Sequence, residues 1–160
     1  VEFKPGLKIK ILDENNIDDL AELYKAVFKT YPFPIFDKDF LKDTMLSHIV
    51  YFGIYDKHQL IAAASSEMDI SSRNAEMTDF ATLPDYRGHN LSVNLLKEME
   101  AEMRLRKMIT LYTIARSHSP GMNITFAKLN YIYSGTLVNN TNISGKIESM
   151  NIWYKSLTKR

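Results

Sequence analysis

The N-terminal part of the chain passes from strand-like alternation to helical spacing. "LKIKIL" (Leu7 to Leu12) alternates apolar and polar residues, which predicts a strand. "DENN" then offers good N-cap residues. An apolar stripe with the spacing of an amphipathic helix follows at Ile17, Leu20, Leu23, Tyr24, Val27 and Phe28. Pro32 and Pro34 end this helix, and Asp37 is expected to cap a second short helix that contains Phe40, Leu41 and Met45.

The middle of the chain predicts three strands and a helix. "HIVYFGIY" (His48 to Tyr55) and "LIAAASSEM" (Leu60 to Met68) lie on either side of the turn "DKHQ", an arrangement typical of a hairpin. After a second turn, "DISSRN", the run "AEMTDFATL" (Ala75 to Leu83) predicts the third strand. Leu91 to Leu105 has helical spacing and is followed by basic residues, which suit the negative end of a helix dipole.

The C-terminal part predicts a strand, a helix and two further strands. "MITLYTIA" (Met108 to Ala115) is an apolar strand, and Ser119 followed by Pro120 is typical of a helix start. "YIYSGTLV" (Tyr131 to Val138) and "ESMNIWYKSL" (Glu148 to Leu157) predict the last strands, with "NNTNISGK" as their connection. The order of elements predicts an α/β fold, an α+β mixed sheet of about seven strands with four helices.

Composition narrows the range of functions. The 160 residues suit a single domain over 1–160, and because the chain starts at Val1 we expect it to be part of a longer protein with an extra N-terminal segment. A formal net charge of +1 argues against nucleic-acid binding through a basic surface. No cysteine is present, the four histidines lack metal-ligand spacing, and no apolar run suits a membrane span. We therefore expect a cytoplasmic protein without a metal, a nucleic-acid partner or a membrane partner.

The stretch "DFATLPDYRGHNLSVNLL" has the form of an anion-binding turn between a strand and a helix. Amide groups in the first turn of a helix lack intrahelical partners and carry the positive end of its dipole, so phosphate oxygens fit there. Gly88 supplies one flexible position and Asn90 can adopt a left-handed one. Ser92 is small and its hydroxyl can donate to a phosphate oxygen, and Arg87 adds positive charge. A solvent-exposed loop explains the same residues, so this stretch alone leaves both interpretations open.

Longer stretches carry a family resemblance. "AEMTDFATLPDYRGHNLSVNLL" resembles the acetyl-CoA turn of the GNAT superfamily of N-acetyltransferases, and "FAKLNYIYSGTL" is similar to a later segment of that family. The resemblance implies the acyl-CoA N-acyltransferase fold with acetyl-CoA as co-substrate. It implies that the backbone of Phe80, Ala81 and Thr82 pairs with the pantetheine arm and donates to the developing oxyanion. It also implies that the pyrophosphate is bound by Arg87, Gly88, His89, Asn90, Leu91 and Ser92.

The implied reaction is direct attack of an amine on the acetyl thioester. A lysine-type amine has a pKa of about 10.4, so the site needs a group that removes a proton. Glu76 is the first candidate base, because the histone-acetylating branch of the family has a base Glu at this position, although a solvated strand-end Glu is an alternative. Asp79, a carboxylate that interrupts an apolar strand, is the second candidate. Alternation places Glu76, Thr78 and Phe80 on one face and Asp79 on the other, unless a bulge intervenes.

Two positions in the predicted fourth helix are included among the cofactor-binding residues. Phe126 falls where many relatives have a Tyr that protonates the departing thiolate. Phe cannot donate a proton, so a water or another group does so, or CoA leaves as the thiolate. Asn123 resembles the helix Asn that contacts CoA in the family, although it lies closer to the Phe126 position than the usual spacing.

The C-terminal third, from "ARSHSP" to "IWYKSL", resembles the β-lysine N6-acetyltransferases, which make the compatible solute N6-acetyl-β-lysine. For such a small amine substrate, Arg116 offers a partner for the carboxylate, Asn139 offers an amide, and Glu148 or Glu67 can hold the second ammonium. Two alternatives stay open, which are acetylation of a protein lysine or N-terminus and a non-catalytic acyl-CoA sensor. The sequence is also compatible with a homodimer.

Overall fold

The computed structural model describes residues 4–143 and 145–158, which form one sheet with helices on both faces. The helices are α1 (Ile17–Val27), α2 (Lys38–Met45), α3 (Leu91–Leu105) and α4 (Pro120–Lys128). The strands are β1 (Leu7–Ile11), β2 (Ile49–Asp56), β3 (Gln59–Asp69), β4 (Asn74–Thr82), β5 (Thr110–Arg116), β6 (Ile132–Ile143) and β7 (Lys146–Ser156). The predicted fold class and the predicted order of strands and helices are confirmed.

The strand order in the sheet is β1-β2-β3-β4-β5-β7-β6. Neighbouring strands are antiparallel except β4 and β5, which are parallel because α3 crosses over one face between them. The ends of β4 and β5 therefore lie at the same edge of the sheet. The connections that follow these strands, 83–90 and 117–119, both start there, which places the predicted anion-binding turn near the start of α4.

Two hydrophobic layers cover the sheet. On one face, Leu20 and Tyr24 of α1 and Leu41 of α2 are buried against the sheet, as the helical spacing predicts. On the other face α3 is buried against the sheet through Leu91, Leu95, Leu96, Met99 and Met103. Because α1 and α2 cover only the β1–β4 part of their face, the β5–β7–β6 part carries exposed apolar residues such as Ile114 and Ile132.

Two local predictions near the C-terminus are corrected. The Asn-rich connection is part of a long hairpin, because β6 continues to Ile143 and β7 begins at Lys146. A bulge between Leu137 and Thr141 contains Asn139 with φ 48°, so an Asn suited to a turn fits within a strand. Ser119 precedes α4 as predicted, but its side chain makes no capping hydrogen bond.

Candidate active site

Residues 87–92 have the backbone of an anion-binding turn. Asn90 has φ 57° and ψ 28°, the left-handed conformation expected from its residue type, and it directly precedes α3. Gly88 has φ 83°, and a Cβ at this position would meet no atom within 4 Å, so its glycine is needed for conformation and not for close packing. The exposed side chains of Arg87 and His89 flank these two residues.

The first turn of α3 offers donors and no carboxylate. The N–H of Asn94 makes the first intrahelical bond, to the carbonyl of Asn90 at 3.1 Å. The preceding N–H groups, those of Leu91, Ser92 and Val93, therefore have no intrahelical partner. No acidic residue lies in this turn, so the positive end of the helix dipole is not neutralised there. The geometry fits a pyrophosphate bound mainly through backbone N–H groups.

The Ser92 hydroxyl is engaged inside the protein, contrary to its predicted use as a donor to a phosphate oxygen. Its oxygen lies 3.0 Å from Thr125 Oγ1, and the Thr125 hydroxyl donates to the Gly121 carbonyl at 2.9 Å. Because Thr125 has a single hydroxyl proton, Ser92 is the donor in their contact. The Ser92 side chain therefore ties α3 to α4, and the part left for a ligand is its backbone N–H.

A gap opens between β4 and β5 beside this turn. Parallel pairing joins Asn74–Glu76 to Thr110–Tyr112 and goes no further. The Thr113 hydroxyl donates to the Met77 carbonyl at 2.7 Å, which closes the base of the gap. Beyond Met77, the edge of β4 that faces β5 pairs with no strand among the described residues, as the family resemblance implies for a pantetheine arm.

The N–H groups in the last part of β4 point alternately toward β3 and toward the gap. The N–H of Leu83 donates to the carbonyl of Ile61 in β3 at 2.9 Å. Alternation along an antiparallel ladder then directs the N–H of Ala81 toward β3 and those of Phe80 and Thr82 toward the gap. Phe80 and Thr82 therefore fit the predicted donor role, whereas the N–H of Ala81 belongs to the ladder.

Asp79 occupies a β-bulge, which is the exception under which the alternation of β4 brings the two carboxylates to one face. The β3–β4 register shifts between Ala63 and Ser65, and Asp79 has φ 54°. Ser65 pairs with Thr78, and its hydroxyl donates to Asp79 Oδ2 at 2.7 Å. The extra residue places Asp79 on the face that carries Glu76 and Thr78.

The same bulge moves Phe80 to the opposite face, away from Glu76. Its ring meets Phe126 of α4 edge-on at a centroid distance of 5.7 Å. Phe126 is fully buried and also contacts the ring of Tyr131 at 4.9 Å. The position that holds a Tyr acid in many relatives is therefore an apolar packing site here, without a proton donor from Phe126.

Glu76 is half-buried and lies between Glu67 of β3 and Tyr112 of β5 in the sheet register. Burial first, and then the negative charges of Glu67 and Asp79, raise the pKa of Glu76 to about 7. Over residues 4–143 and 145–158 its carboxylate makes no hydrogen bond or ion pair. A carboxylate with these properties can accept a proton from a substrate near neutral pH.

The carboxylate of Asp79 is instead bound on both oxygens. Tyr31, from the segment between α1 and α2, donates to Asp79 Oδ1, and Ser65 donates to Oδ2. Burial raises the pKa of Asp79, although these hydrogen bonds oppose the shift. The sequence did not identify Tyr31 and Ser65. A carboxylate in an apolar strand indicated that Asp79 needs partners, but no local pattern indicated which residues these are.

Asn123 has no free side-chain donor or acceptor to offer to CoA. Its Nδ2 donates to the carbonyls of Arg116 and Ser119 at 3.0 and 2.8 Å. Its Oδ1 accepts from Asn151 Nδ2 at 3.0 Å and from Trp153 Nε1 at 2.9 Å. The predicted cofactor contact is therefore replaced by a structural role, in which Asn123 fastens the start of α4 to β5 and β7.

The residues predicted to bind the substrate carboxylate and ammonium form an ion pair with each other. Arg116 donates through Nε and Nη2 to the two oxygens of Glu148, at 2.6 and 2.5 Å. These hydrogen bonds lower the pKa of Glu148. Glu148 is buried, whereas the Arg116 side chain is 46% exposed. Asn139 lies nearby on β6, where its N–H donates to Ser149 Oγ at 3.1 Å.

The part of the chain that the structure describes contains neither a candidate metal site nor a membrane-spanning helix. No group of three or more His, Cys, Asp or Glu residues is arranged there to hold a metal ion. No helix in that part is both long and apolar enough to cross a membrane.

The chain combines a mixed seven-stranded sheet with a left-handed turn before α3 and a gap between β4 and β5. The chain belongs to the acetyltransferase (GNAT) family, whose model matches residues 15–123. It is 51% identical to the β-lysine N(6)-acetyltransferase of Methanococcus maripaludis, over 92% of this chain and 54% of the relative. It is 40% identical to the N-acetyltransferase YodP of Bacillus subtilis, over 96% of this chain and 56% of the relative.

A β-lysine N(6)-acetyltransferase of Methanosarcina mazei is 38% identical over 86% of this chain and 51% of its own length. The chain thus spans about half the length of the curated relatives it matches. Solved structures share the fold at low identity. The ribosomal-protein-S18-alanine N-acetyltransferase of Escherichia coli has a TM-score of 0.81 at 15% identity, with 96% of each chain covered. The yncA protein of Salmonella typhimurium, solved with its cofactor acetyl-CoA, has a TM-score of 0.82 at 15% identity, covering 97% and 96% of the two chains.

Proposed function

We propose that this protein transfers the acetyl group of acetyl-CoA to the N6 amine of β-lysine. The observation that carries the proposal is the position of Glu76 at the base of the gap between β4 and β5. Its carboxylate, which has no partner in the described part of the chain, has a pKa near 7. The identity of 51% and 38% to β-lysine N(6)-acetyltransferases supports the choice of amine.

In this proposal the chain's own groups hold acetyl-CoA by charge and backbone hydrogen bonds. The N–H groups at the start of α3 donate to the pyrophosphate, and Arg87 and His89 flank it. The N–H groups of Phe80 and Thr82 donate to the pantetheine arm and to the thioester oxygen. Acetyl-CoA supplies the activated acetyl group, and no metal is needed for this chemistry.

Glu76 then prepares the nucleophile. Its carboxylate takes a proton from the substrate ammonium, directly or through a water, and the neutral nitrogen attacks the thioester carbon. The new N–C bond forms, negative charge develops on the oxygen that the β4 N–H groups face, and the C–S bond breaks. The C=O bond re-forms as sulfur leaves with the electron pair as the thiolate, and the attacking nitrogen loses its second proton to water. The thiolate is protonated by water, because Phe126 has no proton to give.

Arg116 provides the anchor for the substrate carboxylate. The Glu148 carboxylate occupies Nε and one side of Nη2, which leaves N–H donors on Nη1 and Nη2 in an exposed guanidinium. Arg116 lies on the same face of β5 as Tyr112, which is the neighbour of Glu76 in the sheet. The Cα atoms of Tyr112 and Arg116 are about 13 Å apart along the strand. The substrate's N6 and carboxylate are about 8 Å apart when the chain is extended, so the side chains of Glu76 and Arg116 would both have to extend toward the substrate.

The apolar part of a lysine-type substrate also has a surface to contact. Ile114 lies on β5 between Tyr112 and Arg116 and is 37% exposed. Ile152 of β7 pairs with it in the register. The methylenes of the substrate would cover these side chains, while Asn139 and the bulge around it border the carboxylate end. The product, N6-acetyl-β-lysine, would then serve as a cytoplasmic compatible solute, made by a monomer or a homodimer.

The first test measures thiol release from acetyl-CoA with β-lysine, α-lysine and a lysine-containing peptide as acceptors. We expect β-lysine to have the highest kcat/KM, with N6-acetyl-β-lysine identified as the product by mass spectrometry. Turnover with the peptide alone would replace the small-molecule assignment by a protein acetyltransferase. CoA binding without turnover of any amine would identify an acyl-CoA sensor.

A second test addresses the carboxylate anchor through Arg116→Gln. Losing the guanidinium should raise the KM for β-lysine about tenfold, because a charge-assisted hydrogen bond to the carboxylate is lost. The same variant should leave the KM for 1,5-diaminopentane, which has no carboxylate, within about twofold. Glu148→Gln is the matched control, since it perturbs the ion pair but keeps the guanidinium. Equal effects on both amines would contradict the assignment.

A further inference from the structure

A hydrogen bond joins the bulge in β4 to the segment that connects α1 with α2. Tyr31, in this segment, donates its hydroxyl proton to Asp79, a residue far away in the sequence. The segment is fixed at one side by the buried side chain of Ile35 and at the other by the contact between the rings of Phe28 and Tyr31, whose centroids are 4.9 Å apart. Phe33, between these two points, is exposed.

The negative charges of both Asp79 and Glu76 act on Tyr31. Its pKa is raised by burial first, then by the charge of Asp79 and the hydrogen bond to it, and also by the charge of Glu76. Because Asp79 lies on the face of β4 that carries Glu76, the phenol group that it binds lies on that face as well. An amine that reaches Glu76 from this face would therefore come near the ring of Tyr31.

The polar groups around Asp79 are not fully satisfied by one another. Tyr24 of α1 is completely buried, and its hydroxyl has no hydrogen-bond partner in the described part of the chain. The pKa of Tyr24 is raised by burial first and then by the charge of Asp79. Buried hydroxyl groups are nearly always hydrogen-bonded. An unpaired one at this position fits a cluster that is completed when a ligand binds.

We propose that Asp79 is a positioning residue, which holds Tyr31 so that its ring forms one wall of the amine-binding pocket beside Glu76. The proposal rests on the proposed acetyltransferase function and assigns to Asp79 a role other than general base. The bulge makes this role available, because only the extra residue in β4 turns Asp79 toward the α1–α2 segment. A ring held beside the substrate ammonium attracts it through the face of its π-system and limits its orientation.

The proposal predicts a division between KM and kcat. Tyr31→Phe keeps the ring but removes the hydrogen bond, so the KM for the amine should rise about fivefold while kcat changes less than about twofold. Asp79→Gly removes the acceptor and suits the left-handed backbone, and it should raise KM equally. Because both variants break one interaction, the double variant should have no higher KM than either single variant.

The pH profile of kcat/KM distinguishes the roles of Asp79 and Tyr31. Glu76 is faced by Glu67 of β3, which pairs with His48, by Tyr112 of β5, and by Asp79 and Tyr31. Asp79→Asn keeps an acceptor for Tyr31 but removes a negative charge, so it should move the acid limb of kcat/KM to lower pH with little change in KM. Tyr31→Phe should leave that limb in place.

Tyr55→Phe is the matched control, because Tyr55 donates to Asp19 at 2.7 Å on the same face of the sheet but away from β4. It should leave KM and the pH profile as in the wild type. Unchanged KM in Tyr31→Phe and Asp79→Gly, or additive effects in the double variant, would overturn the proposal while the acetyltransferase function stands. A wild-type protein that acetylates no amine would instead overturn the function itself.

Discussion

Replacing Glu76 with Gln is expected to lower kcat about a thousandfold, because the variant cannot remove the proton from the substrate ammonium. In the wild type, Glu76 accepts a proton only as the carboxylate. Its pKa of about 7 therefore predicts that kcat/KM falls as the pH drops through neutrality and the group becomes protonated. The variant should lose this acid limb and keep its affinity for acetyl-CoA. Steady-state thiol release across the neutral pH range, with CoA binding measured by calorimetry, checks both parts.

Glu67→Gln provides the informative comparison for Glu76. It removes one of the negative charges that raise the pKa of Glu76, so the acid limb should move to lower pH while turnover at high pH is kept. Glu102→Gln, which affects the ion pair with Arg106 at the end of α3, should change nothing in the profile. An acid limb that persists in Glu76→Gln would assign the proton transfer to another group, with Asp79 as the next candidate.

Replacing Asn90 with Val is expected to weaken CoA binding about thirtyfold while the free energy of unfolding falls by only about 1–2 kcal/mol. A β-branched residue disfavours the φ of 57° that Asn90 has, so the chain would relax and turn the first N–H groups of α3 away from the pyrophosphate. Calorimetric titration with CoA and urea unfolding of the same preparations measure the two effects.

Asn130 offers the matched control for Asn90. It has φ 65° and lies between α4 and β6, so Asn130→Val introduces the same residue with the same backbone conflict outside the turn at 87–92. We expect a similar loss of stability with CoA affinity unchanged. Asn90→Gly, which accommodates positive φ, should keep the affinity. Parallel losses of affinity in Asn90→Val and Asn130→Val would mean that the turn at 87–92 has no special part in binding.

The turn at 87–92 was largely predictable because its conformation depends on residue type. Gly88 and Asn90 are the residues that most readily take positive φ, and both do so. The side chain of Ser92 was not predictable in the same way. Its partner, Thr125, lies on another helix, and the packing of α3 against α4 decides that contact.

The two carboxylates of β4 show a different limit of prediction from sequence, which concerns the face of the sheet on which a side chain lies. Alternation is a sound rule for a regular strand, and it holds up to Thr78. The bulge at Asp79 depends on how β3 and β4 pair, a tertiary property, and it reverses the face of every residue that follows. The one extra residue therefore places Asp79 on the same face as Glu76 and places Phe80 on the opposite face, against Phe126.

Arg116 and Glu148 were chosen as anchors for opposite charges of a substrate, and the fold pairs them with each other. The residue types were informative, since each needs an oppositely charged partner. Their pairing follows from β7 lying beside β5, which places Glu148 next to Arg116. A sequence cannot distinguish a charge that awaits a ligand from one that already has a protein partner.

By itself, the sequence determined the order of strands and helices, the apolar faces, the left-handed turn before α3 and the family, because these follow from local periodicity, backbone preference and motif. Only the tertiary structure decided the bulge in β4, the bond from Tyr31 to Asp79, the raised pKa of Glu76, the engagement of Asn123 and the Arg116–Glu148 pair. Each of these depends on burial and on contacts between residues distant in the chain, which no local pattern encodes.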